Sequence, residues 1–257
     1  MRISLVIPAY NEEARIGAML DAYLPAFRDR FGADFEFIVS VNGTTDRTAD
    51  IVRARQAAYP QLRCIDDPRP IGKGGAIIAG GLQARGDLVG FVDADGATPP
   101  SAFLDLVDHI GDAGLILASR RLPGAVLDPP HTLSRRIASW VFNALVRWFF
   151  SLKITDTQCG AKLMAAEAWH AVVPNIGLTR WAFDVDLIFK TRRAHYPIRE
   201  IPTVWRDIGG SKLRLPLVSF QMFLAICRLR LLYSPFSFVV RLYDRLLGRL
   251  PLRPQTG

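Results

Sequence analysis

Short apolar runs alternate with segments of helical character through residues 2–92, and nearly every run ends in polar residues. The runs are 2–8, 35–41, 62–66 and 88–92. Helical stretches are predicted from Asn11 to about Arg30, over 46–58 and over 76–84. Runs that stay apolar, rather than alternating with polar residues, belong to strands buried on both faces. Strand–helix alternation of this kind predicts an α/β fold with a mostly parallel sheet covered by helices. Ligands of such open sheets sit beyond the carboxyl ends of the strands. Pro8-Ala9-Tyr10-Asn11-Glu12, Asn42-Gly43, Asp66-Asp67 and Asp93-Ala94-Asp95 all occupy those ends, so one crevice should collect them. Locally, Pro8 is expected to stop the first strand and Glu12 and Glu13 to sit in the first turn of a helix, where the dipole favours acids. Asp46 is expected to cap the next helix, and Gly72-Lys73-Gly74-Gly75 to form a loop.

Asp93 and Asp95 carry the strongest chemical signal. Side chains two apart on a strand point the same way, so the two carboxylates converge. Like charges that close raise each other's pKa unless they share a cation or donors. Paired carboxylates suit hard cations such as Mg²⁺ or Mn²⁺, which in turn bind diphosphates. The same residues also suit a polar strand-to-helix turn with Asp95 near a cap, and taken alone they leave both readings open.

A chain of 257 residues can build one sizeable domain, or one with an appendage. The net charge of +8 favours anionic partners, among them nucleotides, nucleic acid and acidic lipid headgroups. Cys64, Cys159 and Cys227 are odd in number and widely spaced, without a metal or disulfide pattern, which points to a reducing compartment. No secretory signal and no run of about 18 uncharged apolar residues is visible, so no spanning helix is expected. Yet half the residues are apolar. The excess is concentrated in 137–154, where Ser139, Asn143, Arg147 and Ser151 make a narrow polar stripe on a Trp- and Phe-covered helix. It recurs in 215–232 and in a tail that interleaves Phe236 and Phe238 with Arg241, Arg245, Arg249 and Arg253. Each segment alone suits burial in the core or in a homodimer as well as a bilayer interface. Three of them in one basic chain favour the membrane surface.

Five blocks stand in order: Ile7-Pro8-Ala9-Tyr10-Asn11-Glu12-Glu13, Asn42-Gly43-Thr44-Thr45-Asp46, Gly72-Lys73-Gly74, Asp93-Ala94-Asp95 and Asp156-Thr157-Gln158-Cys159-Gly160-Ala161-Lys162. Together they resemble a family 2 glycosyltransferase with the GT-A fold, over about residues 2–213. Within that family the chain is most similar to the polyprenyl-phosphate (dolichyl-phosphate) sugar transferases. The Asp-Thr-Gln-Cys-Gly block resembles the dolichyl-phosphate β-glucosyltransferases more than the mannosyl enzymes. The resemblance implies a nucleotide-sugar cradle of Pro8, Tyr10, Glu12, Asp67, Lys73 and Ala94, and a metal pair of Asp93 and Asp95 in which Asp95 is the firmer ligand. Where the family places paired aspartates, Val41 and Asn42 stand here, and Asn42 is expected to contact the base through its amide. Other glycine-loop readings fail. A phosphate-binding P-loop needs Ser or Thr after the lysine, but Gly74 follows Lys73, and a dinucleotide fingerprint needs a glycine where Ile77 stands.

Charge argues the acceptor half. Ser119-Arg120-Arg121 ends a strand, and Ser134-Arg135-Arg136 opens the apolar helix at about 134–153. Clustered arginines there suit an anionic headgroup on a lipid tail, and they suit equally the basic flank of an interfacial helix. By resemblance, Arg120, Arg135 and Ser139 hold an acceptor phosphate. Asp156 is the candidate nearest the reacting carbon, while Lys162 and Lys212 could neutralise diphosphate. A lipid monophosphate is largely a dianion at neutral pH, so no general base is required and Asp156 can serve to orient.

These readings imply a 1–213 catalytic domain and a 214–257 basic, membrane-associated segment. The function implied is an inverting hexosyl transfer, with glucose from UDP-glucose passing to a polyprenyl phosphate at the cytoplasmic membrane face. Catalysis would rest on Asp95, Arg120 and Asp156. Alternatives are a hydroxyl acceptor in a polysaccharide or glycolipid, mannose from GDP-mannose, and a non-catalytic nucleotide-sugar or nucleic-acid binder. Arginines clustered on apolar helices, rather than spread over one basic face, argue against nucleic acid.

Overall fold

The computed structural model describes residues 2–130, 132–176, 182–206, 208, 215–238, 240 and 242, the side chains of 135 and 215–220 excepted. Its helices are α1 (Ile16–Phe31), α2 (Thr48–Gln56), α3 (Gly72–Gly81), α4 (Pro100–His109), α5 (Leu133–Phe150), α6 (Ala166–Val172), α7 (Phe183–Arg193) and α8 (Leu215–Leu232). The main sheet uses β1 (Ile3–Ala9), β2 (Phe35–Asn42), β3 (Leu62–Asp67), β4 (Leu88–Phe91), β5 (Leu115–Ser119), β7 (Lys162–Ala165) and β8 (Ile198–Pro202), while β6 (Val126–Asp128) and β9 (Val204–Arg206) pair separately.

The main sheet runs β3-β2-β1-β4-β7-β5-β8. All pairings are parallel except those of β7, which is antiparallel to β4 and to β5. Alternation along β1 supplies both cores. Ile3, Leu5 and Ile7 join Phe27, Phe37 and Phe103 on one face, and Val6 joins Phe91, Trp169 and Phe183 on the other. The sheet is therefore a mostly parallel α/β layer buried on both sides, as the continuous apolar runs require.

Local expectations change in three places. Pro8 lies inside β1 rather than ending it, because pairing with β4 stops at Val6–Phe91 and no ladder bond on that side needs its missing N–H. Glu12 and Glu13 precede α1, whose first turn holds no acid. Asn11, at φ +52°, turns the chain there. The glycine-rich segment is the first turn of α3 rather than a loop.

Helix α5 is built inside out. Asn143, Val146 and Phe150 face the protein, while Leu133, Ile137, Trp140 and Trp148 are exposed, Trp148 at 76%. Of the polar stripe, Asn143 is buried, Ser139 and Arg147 are half-buried, and Ser151 is exposed just past the helix end. α8 packs beside α5 and adds exposed Phe223 and Leu224 to the apolar surface. Among the described residues no helix is long and apolar enough to cross a membrane. Lys212 and most of the basic tail lie outside the described residues.

Candidate active site

The carboxyl ends of β1, β2, β3 and β4 do meet. Asn42 Nδ2 donates to Ala9 O at 3.1 Å, Gly43 N to Asp67 O at 2.8 Å, and Lys73 Nζ lies 2.6 Å from Asp93 Oδ1. The β1–α1 loop is stitched to the β2–α2 loop by backbone donors: Thr45 N to Asn11 Oδ1 (3.0 Å), Glu12 N to Thr48 Oγ1 (2.8 Å) and Glu13 N to Asp46 Oδ2 (3.0 Å). Asp46 also accepts from Thr48 N at 3.0 Å, but Arg47 rather than Asp46 holds the N-cap of α2, so Asp46 braces the helix start from one residue earlier. Pro8 is buried and Tyr10 exposed at the mouth of the crevice.

Two expected contacts take a different form. Asn42 is 2% exposed, and its amide oxygen accepts from Gly72 N at 3.1 Å while Nδ2 holds Ala9 O. Its carboxamide is a staple between β1 and the start of α3, with one N–H left over. Ala94 is buried in the core, so only its backbone faces a ligand. Asp67 pairs with Arg69 through both oxygens, and this guanidinium lowers its pKa to about 2.

Asp93 and Asp95 follow directly on β4. Burial raises the Asp95 carboxyl, and the neighbouring Asp93 charge raises it further. Asp95 Oδ1 accepts from Ala97 N at 3.0 Å. Burial works against the charge of Lys73, yet the Asp93 and Asp184 carboxylates outweigh it and raise the ammonium pKa. A third acid, Glu12, has its pKa raised by burial and is held by Arg15 at 2.7 Å. Among the described residues no set of three His, Cys, Asp or Glu is placed to hold a metal ion. The adjacent Asp93 and Asp95 carboxylates, the latter raised by burial and by the Asp93 charge, nevertheless fit a hard divalent cation.

The 156–160 turn closes the far side. Asp156 is almost wholly buried and binds Arg120 twice, at 2.8 Å (Nε–Oδ2) and 3.0 Å (Nη2–Oδ1). Burial would raise the Asp156 carboxyl, but Arg120 wins and draws it down to about 2. The Arg120 guanidinium lies 5.8 Å from the Trp205 ring. Gly160 abuts Asp93, and a β-carbon at 160 would collide with the carboxylate.

Asn143, read from the sequence only as part of a polar stripe, and Glu200, which the sequence did not single out, hold this turn. Asn143 Oδ1 accepts from Thr157 N at 3.1 Å, and Glu200 accepts from Thr155 N and Asp156 N. Lys162 is another correction. It is 0% exposed and paired with Asp184 at 2.6 Å, so it cannot reach a diphosphate.

Beside the turn opens a cavity of ≈ 470 Å³ lined by Arg120, Arg121, Leu127, Arg136, Ser139 and Asp156. Asp156, the one acid in that lining, is already paired with Arg120. Arg121 donates to Ser139 O at 3.0 Å, and burial lowers its pKa. Among the described residues, no acid other than Asp156 lines the cavity to offset the charges of Arg121 and Arg136. Arg135 belongs to α5, but its side chain lies outside the described residues.

A crevice at the carboxyl ends of a mostly parallel sheet, with paired aspartates on one wall and a basic cavity opposite, defines a nucleotide-sugar-dependent glycosyltransferase of the GT-A fold. The family model described as glycosyl transferase family 2 matches residues 4–169. The chain belongs to glycosyltransferase family 2. It is 35% identical over 222 residues to a dolichyl-phosphate beta-glucosyltransferase of Trichomonas vaginalis, covering 82% of this chain and 66% of that one. With the dolichyl-phosphate beta-glucosyltransferase of Dictyostelium discoideum it is 33% identical over 243 residues, covering 90% and 74%. The fold is similar to that of glucosyl-3-phosphoglycerate synthase from Mycobacterium tuberculosis, crystallised with Mn²⁺, UDP-glucose and phosphoglyceric acid. That likeness has a TM-score of 0.63 at 18% identity and covers 86% of this chain and 77% of that one.

Proposed function

We propose that the chain transfers glucose from UDP-glucose to a dolichyl or other polyprenyl phosphate, with inversion, at the cytoplasmic face of a membrane. The observation that carries this reading is the basic ≈ 470 Å³ cavity, which opens between the 156–160 turn and the inside-out helix α5. An acceptor with an anionic head and an apolar tail matches both neighbours. Names of the relatives support the acceptor and the sugar.

Asp95, with Asp93 beside it, would hold Mg²⁺ or Mn²⁺, and the cation supplies charge neutralisation for the departing diphosphate. The remaining work falls to the chain's own side chains. Pro8, Tyr10, Glu12, Asn42, Asp67 and Lys73 frame the nucleotide, with Asn42 acting through the staple it makes rather than as a free amide. Arg121, Arg136 and Ser139 bind the acceptor phosphate and hold an oxygen toward the anomeric carbon. Arg135 remains a candidate for the same task. Arg120 is spent on Asp156, so the pair acts as one rigid unit that positions the turn. One displacement from the opposite face converts an α-linked donor to a β-linked product.

Arg120 occupies both Asp156 oxygens, and a carboxyl drawn down to about 2 is too weak a base to serve as the proton acceptor. The acid limb of the rate profile then belongs to the acceptor. kcat/KM should fall about tenfold per unit below pH ~6, the second pKa of a phosphate monoester. Lowering the pH there protonates the dianion and leaves a poorer nucleophile. An inflection near 4 instead would return a protein carboxylate to the chemistry.

The α5–α8 face supports peripheral attachment to lipid, since exposed tryptophans beside arginines suit the headgroup boundary. Trp140→Glu with Trp148→Glu should cut sedimentation with anionic liposomes at least about tenfold and leave UDP binding unchanged. Undiminished liposome binding in a double variant that loses a dimer by sedimentation velocity would assign the face to a homodimer. The reading as a whole is tested by incubating the protein with dolichyl phosphate, Mn²⁺ and labelled UDP-glucose, UDP-galactose or GDP-mannose. Acid-labile label should enter the organic phase from UDP-glucose. Transfer from GDP-mannose, or only to a hydroxyl acceptor, would overturn it.

A further inference from the structure

A hydrogen-bonded chain behind the acceptor cavity has no task in the scheme above. Glu200, half-buried on β8, is met only by donors. Thr155 N reaches Oε1 at 3.0 Å and Oε2 at 2.9 Å, Thr155 Oγ1 reaches Oε1 at 2.9 Å, and Asp156 N reaches Oε1 at 3.1 Å. The Thr155 hydroxyl has one hydrogen, and Glu200 takes it. Toward its other partner, Ser119 Oγ at 2.9 Å, Thr155 Oγ1 can therefore only accept. Ser119 Oγ in turn accepts from Arg121 N at 3.3 Å, which closes the 119–121 turn. The carboxylate thus gives the whole chain one direction: Arg121 N–H to Ser119, Ser119 O–H to Thr155, Thr155 O–H to Glu200. A second branch runs through Asp156 N to the carboxylate that holds the backbone N–H and guanidinium of Arg120.

A carboxylate behind an anion site needs a reason, because its charge opposes the ligand. Asp156 is spent on Arg120, and Glu200 adds a second negative charge bonded to the same stretch of chain. Water or a neutral acceptor could satisfy two backbone N–H groups at less cost to anion binding. What an acceptor without hydrogens adds is the polarity of the relay. Reversed, the relay would leave the hydroxyl hydrogen of Ser119, a residue 0% exposed, without a partner among the described residues. The 119–121 turn would loosen, and with it the placement of Arg121, whose guanidinium bonds Ser139 O in the cavity lining.

We propose that Glu200 is a positioning residue for acceptor binding. Through Thr155 and Ser119 it sets the direction of the hydrogen bonds that place Arg121, and through the Asp156 backbone it places Arg120. The inference rests on the reading of this cavity as an acceptor-phosphate site.

Charge and position predict opposite signs for Glu200→Gln, which keeps the shape of the side chain and removes its charge. Loss of a negative charge alone would leave phosphate binding unchanged or tighter, whereas loss of the relay weakens it. Calorimetry without donor, with citronellyl phosphate as the probe, should show Glu200→Gln binding roughly tenfold more weakly than wild type. Thr155→Val, which changes no charge, should lose a similar factor, and Thr155→Ser, which keeps the hydroxyl, should bind as wild type does. Glu200→Gln with Thr155→Val should bind no more weakly than Glu200→Gln alone, because both changes break one chain. Affinity for UDP with Mn²⁺ should be equal in all of them. Unchanged or tighter phosphate binding in Glu200→Gln, additive losses in the double variant, or a parallel loss of UDP affinity would each overturn the inference. Where Glu200→Gln does not fold, Thr155→Val decides alone, and wild-type phosphate affinity in that variant overturns the inference too. Those outcomes leave the acceptor reading standing. If the wild type itself does not bind citronellyl phosphate, the acceptor reading falls and this inference with it.

Discussion

Asp95→Ala should abolish sugar transfer, lowering kcat at least about 100- to 1,000-fold, with a melting temperature within a few degrees of wild type. The two halves of this expectation have separate causes. Asp95 loses one hydrogen bond, from Ala97 N, worth about 1 kcal/mol, and removing a buried like charge beside Asp93 offsets part of that loss. The chemistry has no such compensation. A departing diphosphate gathers charge as the glycosidic bond breaks, and the paired carboxylates are the groups suited to bring a counter-cation there. Steady-state rates and a thermal melt on the same preparation check both halves. A variant that turns over normally would remove the paired-aspartate mechanism.

Asp156→Ala should act on the fold as well. It leaves the Arg120 guanidinium buried against Trp205 with no partner, which costs about 3–5 kcal/mol, or roughly 6–20 °C in melting temperature. Its pH dependence has a definite sign. The folded carboxyl titrates near 2, below the ordinary value of 3.8, so the stabilisation is complete above pH ~4 and is lost as the pH falls from there toward 2. Melting curves of wild type and variant should therefore lie far apart at neutral pH and converge on acidification. A constant gap down to pH 2 would contradict the ion-pair explanation.

Much of the donor half is legible in the sequence because it depends on short-range rules. Apolar runs marked β1, β2, β3 and β4 within a residue or two, and polar residues at their ends marked the crevice. The reversed strand β7 is not legible: four residues carry no readable period, and their partners β4 and β5 lie far away in the chain. Adjacent arginines also defeat motif reading. Arg120 and Arg121 both line the cavity, but Arg120 is tied to Asp156, and on α5 Arg136, which the sequence did not single out for the acceptor, lines it too. One residue reverses a side chain at a strand end and rotates it by about 100° on a helix. Asn42 and Lys162 show a different limit. Their types suited ligand contact, but partners more than 20 residues away claimed them.

Helix α5 touches two worlds through one backbone. Asn143 grips Thr157 on the inner side, and Trp140, three residues earlier, stands in the open on the outer. Substitutions along this helix should therefore sort by angle rather than by sequence distance. Positions 139, 143, 146 and 150 would register as changes in turnover. Positions 133, 137, 140 and 148 would register as a change in how the protein divides between water and lipid, with each molecule that reaches the surface working at its normal rate.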